Sequence, residues 1–594
     1  MSTHEDRLKA LRAQLERDAL TGFVVPLTDE HLSEYVGAYA QRLAWLTGFK
    51  GSAGSAVVLP EQAAIFVDGR YTLQVRDQVD GNLWQYESVP QTSVAAWLEN
   101  HATRDARIGY DPWLHTRRWV EDATRALGRK GAQLVPVAHN PVDAVWDDRP
   151  EPSKAHLVPH EECYAGKSSA QKRSEIGDWL KAEGLDAVVM SALDSIAWTF
   201  NIRGADVSNT PVALAYALLH ADGRAELFVA PEKIDADVRA HLGNAVTIRD
   251  RTEFTAALAD LAGKTVAVDP ERSVAAIFET LDKAKATVKQ LRDPAVLPKA
   301  IKNAVEIDGT KAAHARDGAA LSRFLHWISV EGPKGGQDEL TVFDKVLQFR
   351  EETGALVTPS FDTISGSGPN GAIVHYRASE DTNRPVETGT LLLVDSGGQY
   401  KDGTTDITRT VAIGTPSDEM RHNFTLVLKG HIALGTAQFP QGTRGSQLDV
   451  LARQFLWAEG LDYAHGTGHG VGSFLGVHEG PQRIATYGGG DEPLQAGMIL
   501  SNEPGYYKTG GYRIRIENLV LVVEKGEGEG GKPFLGFETL SHAPIDRALI
   551  DTKLLTQAER DWVDTYHART LEIVGPQVSG DDLAWLKAVC APLV

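Results

Sequence analysis

Apolar residues along the first half of the chain switch between two periods. Short runs such as GFVVPL (22–27), SAVVL (55–59) and AAIFV (63–67) have the length and β-branched content of strands, and amphipathic segments such as RWVEDATRALGRKG (118–131) separate them. This alternation predicts an α/β organisation. Leu8, Leu11 and Leu15 fall at helical spacing among charges, so the N-terminus reads as an amphipathic helix without the apolar core of a secretion signal. Prolines interrupt the pattern at 147–160, and a second break at 291–303 precedes a long helical stretch over 305–330. The expected domains are 1–155, 156–302 and 303–594, the last with an extension after about residue 541. Residues 22–70 and 185–230 echo one another, which suggests that the first two domains are variants of one design.

In the last third, strand-like pairs carry carboxylates. LLLVDSGGQYKDGTTDITRTVAI (391–413) has apolar runs around Asp402-Gly403, a hairpin signal that would bring Asp395 and Asp406 close. A turn centred there sets Asp395 opposite position 410, so a shared ligand site needs a turn near residues 400 and 401 or a bulge. In ILSNEPGYYKTGGYRIRIENLVLVV (499–523), Glu503 and Glu517 are symmetric about Gly510, and a turn over Lys508–Gly511 sets them face to face. Alternation over 512–517 puts Arg513, Arg515 and Glu517 on one face and Ile514 and Ile516 on the other. A neighbouring arginine keeps a carboxylate ionised and able to ligate.

Between these pairs lies HGTGHGVGSFLGVHEGP (465–481). Glycines at 466, 468, 470 and 472 argue against a helix carrying His465 and His469 on one face, and for a backbone that another segment approaches closely. Singly, each of these residues has a bland explanation as turn, solvated face or loop. Jointly, Asp395, Asp406, His469, Glu503 and Glu517 set four acids and one imidazole in apolar strand contexts, where unpaired charge costs several kcal/mol. Two divalent ions sharing these ligands resolve the conflict. Oxygen donors with one imidazole favour Mn²⁺ or Mg²⁺, and Zn²⁺ or Co²⁺ also accept such a set. Two ions roughly 3.5 to 4 Å apart can activate a bridging water and polarise a carbonyl, so the expected activity is hydrolysis.

Composition narrows the class. A chain of 594 residues exceeds a single core. Lysine and arginine number 60 against 80 acids, and the net charge of −20 disfavours nucleic acid and anionic membranes as partners. Cys163 and Cys590 form no metal spacing and fit a reducing compartment; with no apolar run of ~18 residues, the expected location is cytoplasmic. Gly166-Lys167-Ser168 and Gly263-Lys264-Thr265 lack the earlier glycine of a phosphate loop, and neither GxGxxG, at 366–371 or 526–531, opens a helix after a strand. HExxH and GxSxG are absent.

The segments GPNGAIVHY (368–376), DSGGQYKDGTTDITRT, HGTGHGVG, SNEPGYY and RIRIEN resemble those of the pita-bread metallopeptidases, and among them the long, three-domain, cytosolic Xaa-Pro aminopeptidases. The likeness extends to SEYVGAYAQRLAWLTGFKGSAGSAVVL, WDDRPEPS and LDSIAWTFNIRGADV. It implies two creatinase-like α/β domains followed by a pita-bread catalytic domain. It further implies that Asp406 and Glu517 bridge two metal ions, that Asp395 binds one, and that His469 and Glu503 bind the other. Manganese is the expected metal. A bridging hydroxide would attack the first residue's carbonyl, Glu503 would relay the proton, and His375 and His478 would donate to the oxyanion. Arg515 maps onto an accessory arginine, and His465 onto either a substrate contact or a structural histidine. The implied substrates are peptides with proline second, and the implied assembly is a homodimer. A prolidase, a methionine aminopeptidase and a non-catalytic peptide-binding scaffold are the competing readings; a scaffold would be expected to have lost ligands.

Overall fold

In the computed structural model, which describes residues 2–89, 91–372, 376 and 378–593, the leucine pattern at the N-terminus forms helix α1 (His4–Arg17). Thr3 and Asp6 close a capping box at its start, and Leu8, Leu11 and Leu15 are buried. The chain divides into two compact units, Met1–Glu161 with Lys167–Val296, and Glu162–Gly166 with Leu297–Val594.

The first unit contains two six-stranded sheets of the same design. One has the order β4-β3-β2-β1-β5-β6, from β1 (Gly22–Pro26), β2 (Ser55–Val58), β3 (Ala63–Val67), β4 (Gln85–Ser88), β5 (Arg107–Tyr110) and β6 (Gln133–Pro136). The other has β10-β9-β8-β7-β11-β12, from β7 (Ala187–Met190), β8 (Ala215–His220), β9 (Ala225–Val229), β10 (Val246–Arg249), β11 (Thr265–Val268) and β12 (Thr287–Gln290). Strand directions correspond position by position: antiparallel β1–β2 and β2–β3 match β7–β8 and β8–β9, and the outer pairs are parallel in both. The weak echo in the sequence is therefore a repeated topology. In β1, Phe23 and Val25 enter one apolar cluster and Val24 another, so both faces are covered, which explains its continuous apolar run. Arg251 Nη2 reaches Glu30 Oε1 at 2.5 Å and His31 Nδ1 donates to Ser191 O at 2.8 Å, bonds that help make one unit of the two sheets.

The second unit opens with the predicted long helix, α2 (Ala304–Glu331), capped by Asn303, whose side chain accepts from Val305 and Glu306 N–H. A three-stranded antiparallel sheet follows, with β14 (Leu391–Ser396) between β13 (Ile364–Ser367) and β17 (Ile407–Ala412). Two short strands, β15 (Gly398–Tyr400) and β16 (Gly403–Thr404), form the tip of the β14–β17 hairpin. The six-stranded sheet has the order β18-β25-β24-β21-β19-β20, from β18 (Gln438–Pro440), β19 (Gly468–Gly470), β20 (Glu479–Ile484), β21 (Ile499–Asn502), β24 (Asn518–Glu527) and β25 (Pro533–Thr539). The hairpin of β22 (Gly505–Lys508) and β23 (Tyr512–Arg515) stands between β21 and β24 in sequence. Leu392 and Val394 of β14 pack on Leu321, Phe324 and Leu325 of α2, fixing the strand that carries Asp395. No helix among the described residues is long and apolar enough to cross a membrane.

Candidate metal centre

Asp395 lies on β14 opposite Thr408 of β17, and the same register continues through Gln399–Thr404 and Tyr400–Gly403. The turn is therefore Lys401–Asp402, and the expected pairings of Asp395 with position 410 or with Asp406 do not occur. Tertiary contacts explain the difference. A Cβ on Gly403 would lie 3.0 Å from Thr310 Cα and 3.2 Å from Ala313 Cβ of α2, and Asp402 pairs with Arg316 of α2 at 2.5 Å. The Asp-Gly pair seats a helix and is not the turn centre. Asp406 enters from the irregular link before β17 and is 4% exposed.

The glutamate pair follows the sequence symmetry. Asn502–Asn518 and Gly505–Arg515 bracket Glu503 and Glu517 in a register centred on Gly510, whose φ of +71° suits the turn. Ile514 and Ile516 join an apolar cluster, and Arg513, Arg515 and Glu517 are buried. Backbone bonds then stitch the segments together: Glu503 N donates to Thr467 O at 2.8 Å and Glu517 N to Thr408 O at 3.2 Å. His469 sits on β19, a strand and not a helix, flanked by glycines that admit close neighbours: a Cβ would lie 2.1 Å from Ser501 O at Gly468 and 2.4 Å from Glu479 O at Gly470.

These elements bring together all five residues of the expected ligand set. Candidate ligand atoms of Asp406, His469 and Glu517 lie within 4.8 Å of one another. His469 Nε2 is 3.4 Å from Asp406 Oδ2 and 3.7 Å from Glu503 Oε1. Arg515 pairs directly with Asp395 and lies 3.9 Å from both Glu503 Oε2 and Glu517 Oε2. His469 Nδ1 donates to Gly470 O at 2.9 Å, a carbonyl that only accepts, which leaves Nε2 as the ring atom facing the carboxylates.

The electrostatics are those of crowded like charge. Burial, then Asp406 and Glu503, raise the Asp395 carboxyl to about 6 against the lowering effect of Arg515. Burial and the neighbouring acids push Glu517 well above the usual carboxylate range. For His469, burial opposes protonation, but Asp406 and Glu503 outweigh it and raise the imidazole to about 9. Asp395 Oδ1 and Asp406 Oδ1 are buried with no hydrogen-bond partner among the described residues. Orphaned carboxylate oxygens crowded around one imidazole nitrogen form a donor set that divalent metal ions fit, and a bound cation would displace the proton that the imidazole otherwise holds.

Accessory residues form a second layer. His478 packs edge-on against His469, ring centroids 4.4 Å apart. His465 donates from Nδ1 to Gly466 O at 2.8 Å and accepts the Tyr507 hydroxyl at Nε2 at 2.7 Å, while Arg515 Nη1 donates to that hydroxyl at 3.1 Å. Both ring nitrogens are thus engaged, and burial holds the ring neutral, with its pKa lowered to about 4. His375 lies outside the described residues. Sequence reasoning missed Tyr507, which alternation from Glu503 could have found. It missed Thr408, whose Oγ1 donates to Glu517 Oε2 at 2.5 Å and accepts from Arg515 Nε at 3.0 Å. It also missed Glu479, gripped by buried Lys299 and Lys302. Nothing local marks those lysines as interior.

Comparison with known proteins agrees with this arrangement. Residues 308–524 match metallopeptidase family M24 and residues 533–593 its C-terminal region. Residues 7–145 and 148–306 each match the creatinase/prolidase N-terminal domain, in line with the paired sheets. The probable Xaa-Pro aminopeptidase P of Laccaria bicolor is 39% identical over 99% of this chain and 93% of its own length. Aminopeptidase P2 of Arabidopsis thaliana is 39% identical over 99% of this chain and 88% of its own length. The X-prolyl aminopeptidase of Caenorhabditis elegans, described as a cytosolic enzyme with a di-nuclear active site, superposes with a TM-score of 0.95 at 35% identity and covers 100% of both chains. With two creatinase-like α/β domains ahead of a pita-bread metallopeptidase domain, the chain belongs to the aminopeptidase P branch of metallopeptidase family M24.

Proposed function

We propose that this metallo-aminopeptidase releases the N-terminal residue from peptides with proline in second position, using two divalent ions held by Asp395, Asp406, His469, Glu503 and Glu517. The observation that carries the reading is the convergence of Asp406, His469 and Glu517 beside two orphaned carboxylate oxygens, in a chain whose relatives are named for this specificity. Asp406 and Glu517 would serve both ions, Asp395 one, and His469 with Glu503 the other. The oxygen-rich donor set favours Mn²⁺.

When bound, such ions supply an activated water and a polarised scissile carbonyl. The chain's own residues do the rest. Glu503, close to His469 and to the Ser501 hydroxyl at 3.2 Å, accepts and returns a proton at its carboxylate. His478, seated against His469, and His375 donate to the developing oxyanion. Arg515 holds Asp395 ionised and oriented, the Tyr507 hydroxyl fixes the arginine, and His465 steadies Tyr507. The substrate's free amine is assigned to the Asp395 end, which makes the enzyme an exopeptidase. A proline ring in the second position presents a tertiary amide without an N–H, which a shaped pocket can select.

A homodimer and a cytosolic location complete the proposal. Val450 and Trp457, two turns apart on the helix Gly445–Trp457, are 43% and 45% exposed, an apolar stripe suited to a second copy; the Caenorhabditis elegans enzyme is described as cytosolic.

The test measures release of the first residue by the Mn²⁺-loaded protein from an Xaa-Pro-Pro tripeptide, an Xaa-Pro dipeptide and a Met-Ala-Ser tripeptide, each with a chelator control. Chelator-sensitive cleavage mainly of the first is expected. Preference for the dipeptide would make the chain a prolidase, and preference for the third a methionine aminopeptidase. No cleavage of any, with metal bound, would leave a peptide-binding scaffold.

A further inference from the structure

The second unit contains a cavity formed by residues outside the carboxylate cluster. Residues of α2, the end of β25, the segment after it and helix α3 (Gln557–Val574) line a half-open pocket of about 520 Å³, a size that takes a small organic ligand. One wall is aromatic: Trp562 and Tyr566, four residues apart on α3, stack with centroids 5.3 Å apart and planes within 3°. His542 stacks behind Tyr566 at 6.1 Å. It is 7% exposed, and its Nδ1 has no hydrogen-bond partner among the described residues, a deficit that a buried polar atom does not normally carry. The lining also holds Lys311, Arg569 and Glu538. Lys311 pairs with Glu538 at 2.8 Å, whereas Arg569 spends only Nη1, on Glu572 at 2.6 Å. Each cation has an acid partner, but the guanidinium N–H groups that Arg569 does not spend on Glu572 and the unpartnered His542 Nδ1 can both donate to a carboxylate beside the aromatic wall.

This wall is wired to the carboxylate cluster by hydrogen bonds. The Tyr566 hydroxyl accepts from Arg409 Nη2 at 2.6 Å. Arg409, fully buried, directs Nη1 to Thr408 O at 2.9 Å and Glu517 O at 2.7 Å, and its remaining N–H groups to Pro544 O, Ala543 O and Asn518 Oδ1. One guanidinium thus ties the cavity wall to the main chain of Thr408 and Glu517.

We propose that the cavity is a second ligand site, for a small carboxylate with a flat apolar body, and that its occupancy is transmitted through Tyr566 and Arg409 to the strands carrying Thr408 and Glu517. The transmitted effect rests on the functional reading given above; binding does not.

Isothermal titration of the metal-loaded full chain with indole-3-acetate, with neutral indole-3-acetamide as control, tests the binding. One site per chain is expected, weakened about tenfold or more by Arg569→Gln, by Lys311→Gln or by loss of the probe's charge. Both replaced residues lie on the exposed side of the cavity, so folding is not at stake. Absence of binding, equal binding of the amide, or affinity unchanged in both variants overturns the site, the last also being the result if the probe lodges on the metal ions instead. Transmission is read from peptide turnover with and without saturating probe. A change in KM or kcat is expected in the unmodified chain and not in Tyr566→Phe, which keeps the ring and loses the hydroxyl. A probe that binds and leaves turnover of the unmodified chain unaltered overturns the transmission. A chain that binds the probe and cleaves no peptide overturns the functional reading and leaves the ligand site standing.

Discussion

The Thr408 hydroxyl donates to Glu517 Oε2 at 2.5 Å and accepts from Arg515 Nε at 3.0 Å, so a single oxygen sets the relative positions of a carboxylate and a guanidinium. Thr408 is fully buried and directly opposite Asp395, which Arg515 also holds.

Thr408→Val keeps the shape of the side chain and deletes both bonds. Removing such an outer support typically costs about 10–100-fold in metal affinity or activity. We expect a loss of that size in Mn²⁺ affinity, measured by competition with a chelator of known strength, with little change in secondary structure. Unchanged affinity would reduce Thr408 to a packing role.

Glu479→Gln leaves Lys299 and Lys302 buried without their carboxylate. Breaking a buried ion pair from one side costs roughly 3–5 kcal/mol. Denaturant unfolding followed in the second unit should show a loss of that order, partly recovered when Lys302→Met is added. A stability within about 0.5 kcal/mol of the unmodified chain would contradict the role assigned to the pair.

How much of this was legible in advance varied with how local the cause was. The Glu503–Glu517 register could be read because Gly510 both terminates and centres its own hairpin, and the helix over 304–331 could be read from its length and cap. The Asp395–Asp406 register could not, because Asp402-Gly403 carries a turn signal that serves contact with Thr310, Ala313 and Arg316 instead. The glycines of 466–472 announced close approach without naming the neighbour, which is largely Ser501, Glu479 and Leu475. Lys299, Lys302 and Arg409 look like surface residues in sequence; only tertiary structure gives them buried acceptors.

Acid should weaken the fold through histidines held neutral. Burial lowers the His431 imidazole to about 3, helped by the Arg409 charge. Below about pH 6.5 the unfolded chain takes up a proton that the folded chain refuses, so this contribution is complete above about pH 6.5 and is lost as pH falls towards about 3. The slope is up to about 1.4 kcal/mol per pH unit. Denaturation midpoints between about pH 7.5 and about pH 5 should therefore fall less steeply in His431→Gln, whose amide can still accept from Asn518. Parallel acid limbs would show that His431 takes up its proton in the folded chain as well.

Two metal ions held by four carboxylates and one imidazole would make a centre that can be seen directly. Anomalous diffraction at the manganese edge from Mn²⁺-soaked crystals tests it most directly. Two peaks are expected between Asp406 and Glu517, one in contact with Asp395 and the other with His469 Nε2 and Glu503, and both should be lost in Asp406→Ala. A single peak, peaks away from these residues, or a pair that survives Asp406→Ala unchanged would contradict it.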